Sequence, residues 1–452
     1  MSKLDGVRHL RGHFKKALVL ENPDESLDAY LAKQGIETER YPRGVDEDKV
    51  VERLKEGQHD LLFKRSQFEV NRRVLQASDN LSAIMLCCIG DDSVDKQACA
   101  EEGVMVMNDP VSNGWSVVEM VLGEMVCLAR RIFHSVVETD KSRWTKDKTH
   151  RYELKGKSLS IIGLGNIGKQ VAQMAEQFGM EINFFDNHEV AREVGSTLGW
   201  NACGSIREAF RRGDFVTVHV SAEDHRGNNN RDLLNYEDHF SQLGAERPEN
   251  SPRIFINASR GFLYGADELI PAVEEEEVRQ ALVDVFPSEP SGKEEPWENP
   301  YADYDRIWGT PHIGAATQEA QPRIAKHMAS TTFLFNRYGS VRDQVFAAGG
   351  GISVDSEDPQ YVLTVVHSDA RGTKKAVNDC IYEAGLSNLG SSHRDFPRFG
   401  VAYDINAIDA PLSDQQLEKL IATARELSDD ESAIRSVRLI DVSTGPTEGA
   451  AE

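Results

Sequence analysis

Residues 159–186, LSIIGLGNIGKQVAQMAEQFGMEINFFD, constrain this chain more than any other stretch. An apolar run leads directly into Gly163, Gly165 and Gly168, spaced as GxGxxG. The segment that follows has helical period, with Ile167, Val171, Met174, Ala175 and Phe178 on one face. The first glycine permits a tight turn and the second lets backbone approach a pyrophosphate. The third lets helix and strand pack closely, and the helix N-terminus faces the anion. A second apolar run ends at Asp186, 23 residues after Gly163. A carboxylate at that point bonds a ribose 2′-hydroxyl and repels a 2′-phosphate, so NAD is expected over NADP. An isolated GxGxxG is a weak signal, but here strand, helix face and terminal acid stand in register.

Strands alternating with helical stretches run through most of the 452 residues, the pattern of a parallel α/β fold. In the first 115 residues the apolar runs are ALVL, LLFKRS, SAIMLCC and VMVMN, with helices expected from Ser26 and over VDEDKVVERLKEG. One long helix is expected over residues 116 to about 134. A second strand series follows: SLSIIG, EINFFD, DFVTVHV, RIFINAS, ALVDVF and RIWGT. EDHRGNNN and ERPEN read as solvated loops, and a helix over 318–338 would return the chain to the first domain. Glycines 349–351 read as a flexible hinge. Beyond them the order becomes βαββαβ, the split-βαβ or ferredoxin-like plan, before a small, polar tail read as disordered. The expected architecture is therefore two doubly wound, Rossmann-like parallel-sheet domains (17–115 with 316–342, and 116–315) plus a ferredoxin-like module over 355–442.

Composition narrows the function. With 51 basic and 74 acidic side chains the net charge is −23, which repels nucleic acid and anionic membrane surfaces. No apolar stretch of about 18 residues is present, and the first residues lack the apolar core of a secretory signal. The six cysteines form no CxxC pair, so neither a disulfide scaffold nor a metal is expected. The expectation is a cytoplasmic protein with reduced thiols that acts on a small molecule.

In open α/β sheets ligands bind beyond the carboxyl ends of the strands. Those ends carry Asp186, His219, Arg260, the 284–289 segment and His312. Arginine in INASRG offers a planar fork for a carboxylate, and histidine in TPHIG titrates near neutrality. Glu289 in DVFPSEP could hold that histidine in one tautomer and raise its pKa. Each has an ordinary explanation alone: a packed histidine, a loop arginine, a turn. Together, behind a dinucleotide fold, they suit a dehydrogenase of α-hydroxy acids.

With GLGNIG at 163–168, INASRG at 256–261, DVFPSEP at 284–290 and TPHIGAATQEAQ at 310–321, the chain resembles the D-isomer-specific 2-hydroxyacid dehydrogenases. CIGDDSVD at 88–95 and SNGWSVVEMVLGE at 112–124 are weaker matches, and the likeness runs from about 17 to 441. It is nearest to the phosphoglycerate-oxidising branch with a C-terminal ACT-like domain. The resemblance implies that Arg260 binds the substrate carboxylate, Glu289 supports the histidine and His312 transfers the proton. It implies NAD contacts from Gly163, Gly165, Asn166, Ile167, Gly168, Asp186, Ala258, Ser259, Arg260, Asp284, His312, Ile313, Gly314 and Ala315, with Asp284 at the nicotinamide carboxamide. Amides at Ile89 and Gly90 would hold the substrate carboxylate, and Arg65 and Ser66 would face its phosphate.

The implied reaction is NAD-dependent oxidation of D-3-phosphoglycerate to 3-phosphohydroxypyruvate, the first step of L-serine synthesis. Another dehydrogenase of the class, for 2-hydroxyglutarate, glyoxylate or D-lactate, would share the triad, and an NAD-sensing corepressor or scaffold is a further alternative. Gln67 stands where some relatives carry a second basic residue, and Ser221 where proline is usual. RWTKDK around Trp144 and Lys146 resembles a subunit-contact stretch, so a homo-oligomer is expected. In the terminal module His367 matches a serine-binding histidine of relatives, but Asp369 and Ser387 replace asparagines, so weak or absent inhibition by L-serine is expected.

Overall fold

The computed structural model describes residues 4–41, 46–290, 295–347, 350–354, 359–447 and 449. The chain forms two compact units, Met1–Ser112 with Gln321–Glu452, and Asn113–Ala320. Both contain Rossmann-like parallel sheets.

In the first unit the strands are β1 (Arg8–Arg11), β2 (Lys16–Leu20), β3 (Glu37–Tyr41), β4 (Leu61–Lys64), β5 (Ala83–Leu86) and β6 (Met105–Asn108). Strands β2 to β6 form a parallel sheet in the order β3-β2-β4-β5-β6. β4 and β5 are buried along their whole length, as near-continuous apolar runs covered on both faces should be. β3, with the sequence ETERY, is a half-exposed edge with no apolar run, which is why its sequence does not announce a strand.

The second unit holds β7 (Ser158–Ile162), β8 (Glu181–Phe185), β9 (Asn201–Ala202), β10 (Phe215–Val218), β11 (Ile254–Asn257), β12 (Gln280–Val283) and β13 (Ile307–Gly309). All pair in parallel, in the order β13-β12-β11-β10-β7-β8-β9. Strand order reverses between β7 and β10, the switch point at which such sheets bind ligands. The single helix expected before this sheet is two, Gly114–Ala129 and Ile132–Asp140. Arg131 breaks it with φ of 52°, and the carbonyl of Ala129 accepts instead from Tyr152 N at 2.8 Å.

The chain then returns through the Ala320–Tyr338 helix to a second sheet of the first unit. Its strands are β14 (Tyr361–Ser368), β15 (Asn388–Phe396), β16 (Val401–Ile408) and β17 (Ile434–Asp441). Helices Thr373–Glu383 and Asp414–Ser428 complete a βαββαβ order, the second opened by a Ser413–Gln416 capping box. The sheet gains a fifth strand that the sequence reading left out: β1 pairs in parallel with β17, giving β1-β17-β14-β16-β15. RHLR is too short and charged to signal a strand. One face packs on the two helices through Leu363, Val365, Leu417 and Ile421. The other, through Val362, Val366, Tyr403 and Ile405, shares a core with the parallel sheet. Arg438 pins the junction, its guanidinium 3.8 Å over the Phe14 ring and donating to the carbonyls of Phe335 and Asn336 at 2.8 and 2.6 Å.

Of the expected hinge, Gly349 lies outside the described residues. Gly350 accepts from Arg394 Nη1 at 2.6 Å, and Gly351 leads into Ile352, which exchanges backbone hydrogen bonds with Val341 at 2.7 and 2.8 Å. Of the expected tail, Val442–Thr444 forms a short 3-10 turn, while residues 448 and 450–452 lie outside the description. Among the described residues no helix is long and apolar enough to cross a membrane.

Candidate active site

At the switch point the glycine loop is built by steric necessity. Gly163 has φ of 91°, and a Cβ there would stand 2.5 Å from the His219 carbonyl oxygen. A Cβ on Gly168 would lie 2.1 Å from the Gly163 carbonyl oxygen. Gly165 is different, because a Cβ there would meet no atom within 4 Å. The Asn166–Gln177 helix starts at this open space without a side-chain cap, so its first amides, at Asn166, Ile167 and Gly168, face outward. That arrangement fits a pyrophosphate. Asp186 lies alongside, one carboxylate oxygen accepting from Leu164 N and the other from His188 N, both at 2.7 Å. Each oxygen retains a lone pair for a ribose hydroxyl.

On the other side of the switch point three loops meet. INASRG follows β11, DVFPSEP follows β12 and TPHIG follows β13. Gly261 allows the first two to touch, since a Cβ there would fall 1.9 Å from the Phe286 carbonyl oxygen. His312 Nδ1 lies 2.7 Å from Glu289 Oε2, and Glu289 Oε1 accepts from Phe286 N at 3.0 Å. The hydrogen bond that His312 donates to Glu289 lifts the His312 pKa above its ordinary value, against the opposing effect of burial. Burial pushes the Glu289 carboxyl up, but its bonds to His312 and Phe286 outweigh this and hold it below the usual range. The charge of Arg260 acts on both groups. The Arg260 loop is braced from Asn257, whose Nδ2 donates to Arg260 O at 2.9 Å and whose Oδ1 accepts from Ser259 N at 3.0 Å. His312 itself holds φ of 52°, an uncommon conformation for a residue with a Cβ, and its side chain is half exposed.

Asp284 is buried, and its oxygens accept from Thr310 Oγ1 at 2.6 Å, Ile313 N at 2.8 Å and Gly314 N at 2.9 Å. Its backbone oxygen accepts from His312 N at 2.8 Å. Asp284 thus moulds the TPHIG loop that presents His312, a bracing role not evident in the sequence. Ala258 and Ser259 sit half-buried in the INASRG loop and Ala315 in the TPHIG loop. Three contributors escaped the sequence reading. Asn257, Thr310 and Glu124 lie inside INASRG, TPHIGAATQEAQ and SNGWSVVEMVLGE, as ordinary polar residues. Glu124 is buried on the Gly114–Ala129 helix, its carboxyl pushed up to about 8 by burial and by the charge of Asp284. For His219, among the strand-end residues, burial lowers the imidazole to about 4, and Thr217 Oγ1 lies 3.0 Å from Nε2.

In the first unit, Arg65 and Ser66 follow β4, while Ile89 and Gly90 follow the adjacent β5. Glu21 shapes the first loop, accepting from the backbone amides of Arg65, Gln67 and Phe68 at 2.6, 2.7 and 2.7 Å. Buried Lys64 donates to Arg65 O at 2.7 Å and Ser93 Oγ at 2.6 Å. Asn108 Nδ2 donates to Ile89 O at 2.6 Å, orienting the second loop.

The family model for the D-isomer specific 2-hydroxyacid dehydrogenase NAD binding domain matches residues 122–314. The chain is 30% identical over 430 residues to D-3-phosphoglycerate dehydrogenase 1 of Saccharomyces cerevisiae, covering 91% of this chain and 86% of that one. It is 29% identical over 412 residues to the D-3-phosphoglycerate dehydrogenase of Haemophilus influenzae, covering 91% and 96%. Among solved structures, the NAD+-bound 3-phosphoglycerate dehydrogenase of Entamoeba histolytica superposes with a TM-score of 0.58 at 24% identity, over 74% of this chain and 98% of that one. The chain belongs to the D-isomer-specific 2-hydroxyacid dehydrogenase family and is an NAD-dependent dehydrogenase.

Proposed function

We propose that this enzyme oxidises D-3-phosphoglycerate to 3-phosphohydroxypyruvate, the first step of L-serine synthesis. The observation that carries the reading is the His312–Glu289 pair at 2.7 Å with Arg260 beside it, on a chain whose relatives bear that activity in their names. NAD, when bound, supplies the hydride acceptor. Gly163, Gly165, Gly168, Asn166 and Ile167 hold its pyrophosphate and Asp186 its ribose. Residues 258–260, Asp284 and 312–315 frame the nicotinamide end. Arg260 clamps the substrate carboxylate with its planar fork, and in the first unit the amides of Ile89 and Gly90 are suited to the same kind of group. Because Glu289 takes Nδ1 of His312, Nε2 is the nitrogen that removes the substrate hydroxyl proton. Arg65 and Ser66 receive the phosphate.

The domain roles follow: a substrate domain over 17–115 with 316–342, an NAD domain over 116–315, and an ACT-like module over 355–442 that serves assembly or regulation. Exposed Trp144, Val136 and Val137 support a homo-oligomer, and the free cysteines suit a reducing cytoplasm. Gln67 in the phosphate loop is the feature that favours the alternative of an unphosphorylated 2-hydroxy acid.

Arg65→Ala tests the substrate. A charge-assisted contact is worth roughly 1.5–3 kcal/mol. The variant should therefore lose about 10- to 100-fold more kcat/KM on D-3-phosphoglycerate than on D-2-hydroxyglutarate or D-lactate. Equal losses would remove the phosphate assignment.

A further inference from the structure

The terminal sheet carries histidines and a carboxylate that the reaction does not use. His367 is in β14, His393 in β15 and Asp404 in β16. His393 faces Asp404 directly across the β15–β16 ladder. The partner of Asp404 on β14 is Val365, so His367 stands one diagonal step away on the same face. His367 and Asp404 are buried, and the His393 side chain is 21% exposed. The two oxygens of Asp404 divide between the rings: Oδ2 lies 3.1 Å from His367 Nε2, and Oδ1 lies 2.7 Å from His393 Nδ1. The opposite ring nitrogens also meet oxygens, His367 Nδ1 at 2.6 Å from Ser368 O and His393 Nε2 at 2.9 Å from Asp395 Oδ1.

Counting protons exposes a deficit. All four ring nitrogens face oxygens that can only accept, so with both imidazoles uncharged, at one N–H each, two of these contacts would lack a proton. If the outer nitrogens donate to Ser368 and Asp395, the inner pair presents bare lone pairs to a carboxylate. A cation placed among them turns that repulsion into coordination. Outer acceptors that fix the tautomer are also what metal-binding histidines normally have.

We propose that His367 Nε2, His393 Nδ1 and the Asp404 carboxylate form a binding site for a divalent transition-metal ion of the zinc class. The ligand atoms lie within 4.8 Å of one another, so small side-chain shifts bring them to metal-bonding distance. Two imidazoles and one carboxylate leave the fourth tetrahedral position open. A single carboxylate is too few oxygens for calcium or magnesium. Lys374 Nζ, 3.8 Å from Asp404 Oδ1, is the competing cation, and its side chain is half exposed and able to swing into solvent. The site revises the sequence-based expectation of no metal, which looked only for cysteine spacing.

The test uses the full chain, stripped with a chelator and titrated with Co2+ by absorption and with Zn2+ by calorimetry. One equivalent per chain, a Co2+ ligand-field band and a Zn2+-dependent rise in melting temperature are expected. His393→Gln should abolish uptake. Asp395→Asn, a surface change that spares the fold, should weaken Zn2+ by about 10- to 100-fold while leaving turnover unchanged. Lack of uptake by the parent chain would overturn the proposal and mean that added protons fill the deficit. Uptake as tight in Asp395→Asn and His393→Gln as in the parent would overturn it as well.

Discussion

Two histidine–carboxylate sites, one in each unit, use the same functional groups to opposite ends. Around His312 a single carboxylate engages Nδ1 at 2.7 Å, and the half-exposed ring keeps Nε2 for outside chemistry. Around Asp404, two imidazoles are enclosed by oxygen at every nitrogen, and the carboxylate is buried. The first arrangement raises the proton affinity of a ring that is half exposed. The second holds each ring between acceptors on both sides. On the roles proposed for them, what separates a proton carrier from a cation trap is the number of acceptors per imidazole, not the residue types.

The largest expected effect comes from removing the mobile proton. His312→Asn, with a residue that tolerates positive φ, should cut turnover by about 10²–10⁴-fold and leave NAD affinity nearly unchanged. In the buried cluster, His393→Gln should not alter turnover at all. Near-normal NADH production by His312→Asn would erase the distinction.

Asp186→Ala comes next, with a loss of NAD affinity of roughly tenfold and little change for NADP, measured by equilibrium binding. Its carboxylate, held by two backbone amides, is a third pattern: fully ordered, yet with lone pairs to spare. Glu289→Gln sharpens the comparison through pH. Oxidation needs neutral His312, so the parent rate rises with pH through a pKa that Glu289 holds above the ordinary histidine value. Without that carboxylate the acid limb of kcat/KM should move to lower pH, and an unmoved limb would show that Glu289 only braces the loop. The smallest effect is expected from L-serine. His367, buried and already engaged by Ser368 and Asp404, cannot turn to an effector, so steady-state rates should not respond at micromolar serine.

How much of this could be read beforehand depended on how local the signal is. The glycine loop, Asp186 and the strand-end triad are each encoded within a few residues of a strand, and sheet topology then brings strand ends together. The parallel α/β architecture follows from the same periodicity. Non-local pairings were not legible. Nothing in NLGSSHRDF shows that His393 lies opposite Asp404, because a ladder register sets that. Glu21 orders the Arg65 loop from 44 residues away, and the break at Arg131 depends on Tyr152 capturing a carbonyl. RHLR has no apolar run, and its partner strand is at the far end of the sequence.

That last pairing has a consequence for biosynthesis. Gly12 O and the Arg438 guanidinium that caps it are 426 positions apart, with the whole second unit between them. At ~5–20 residues per second, a ribosome needs roughly 20–85 s to travel from Gly12 to Arg438. During that interval the continuous second unit can fold, while β1 waits as an unpaired strand. Arg8 and Arg11 keep it charged, which discourages pairing with other nascent chains until β17 arrives. β1 precedes every other strand of its sheet in the chain, yet is among the last to be placed. Truncation before residue 434 should leave a product that survives in fragments but aggregates through its N-terminal edge.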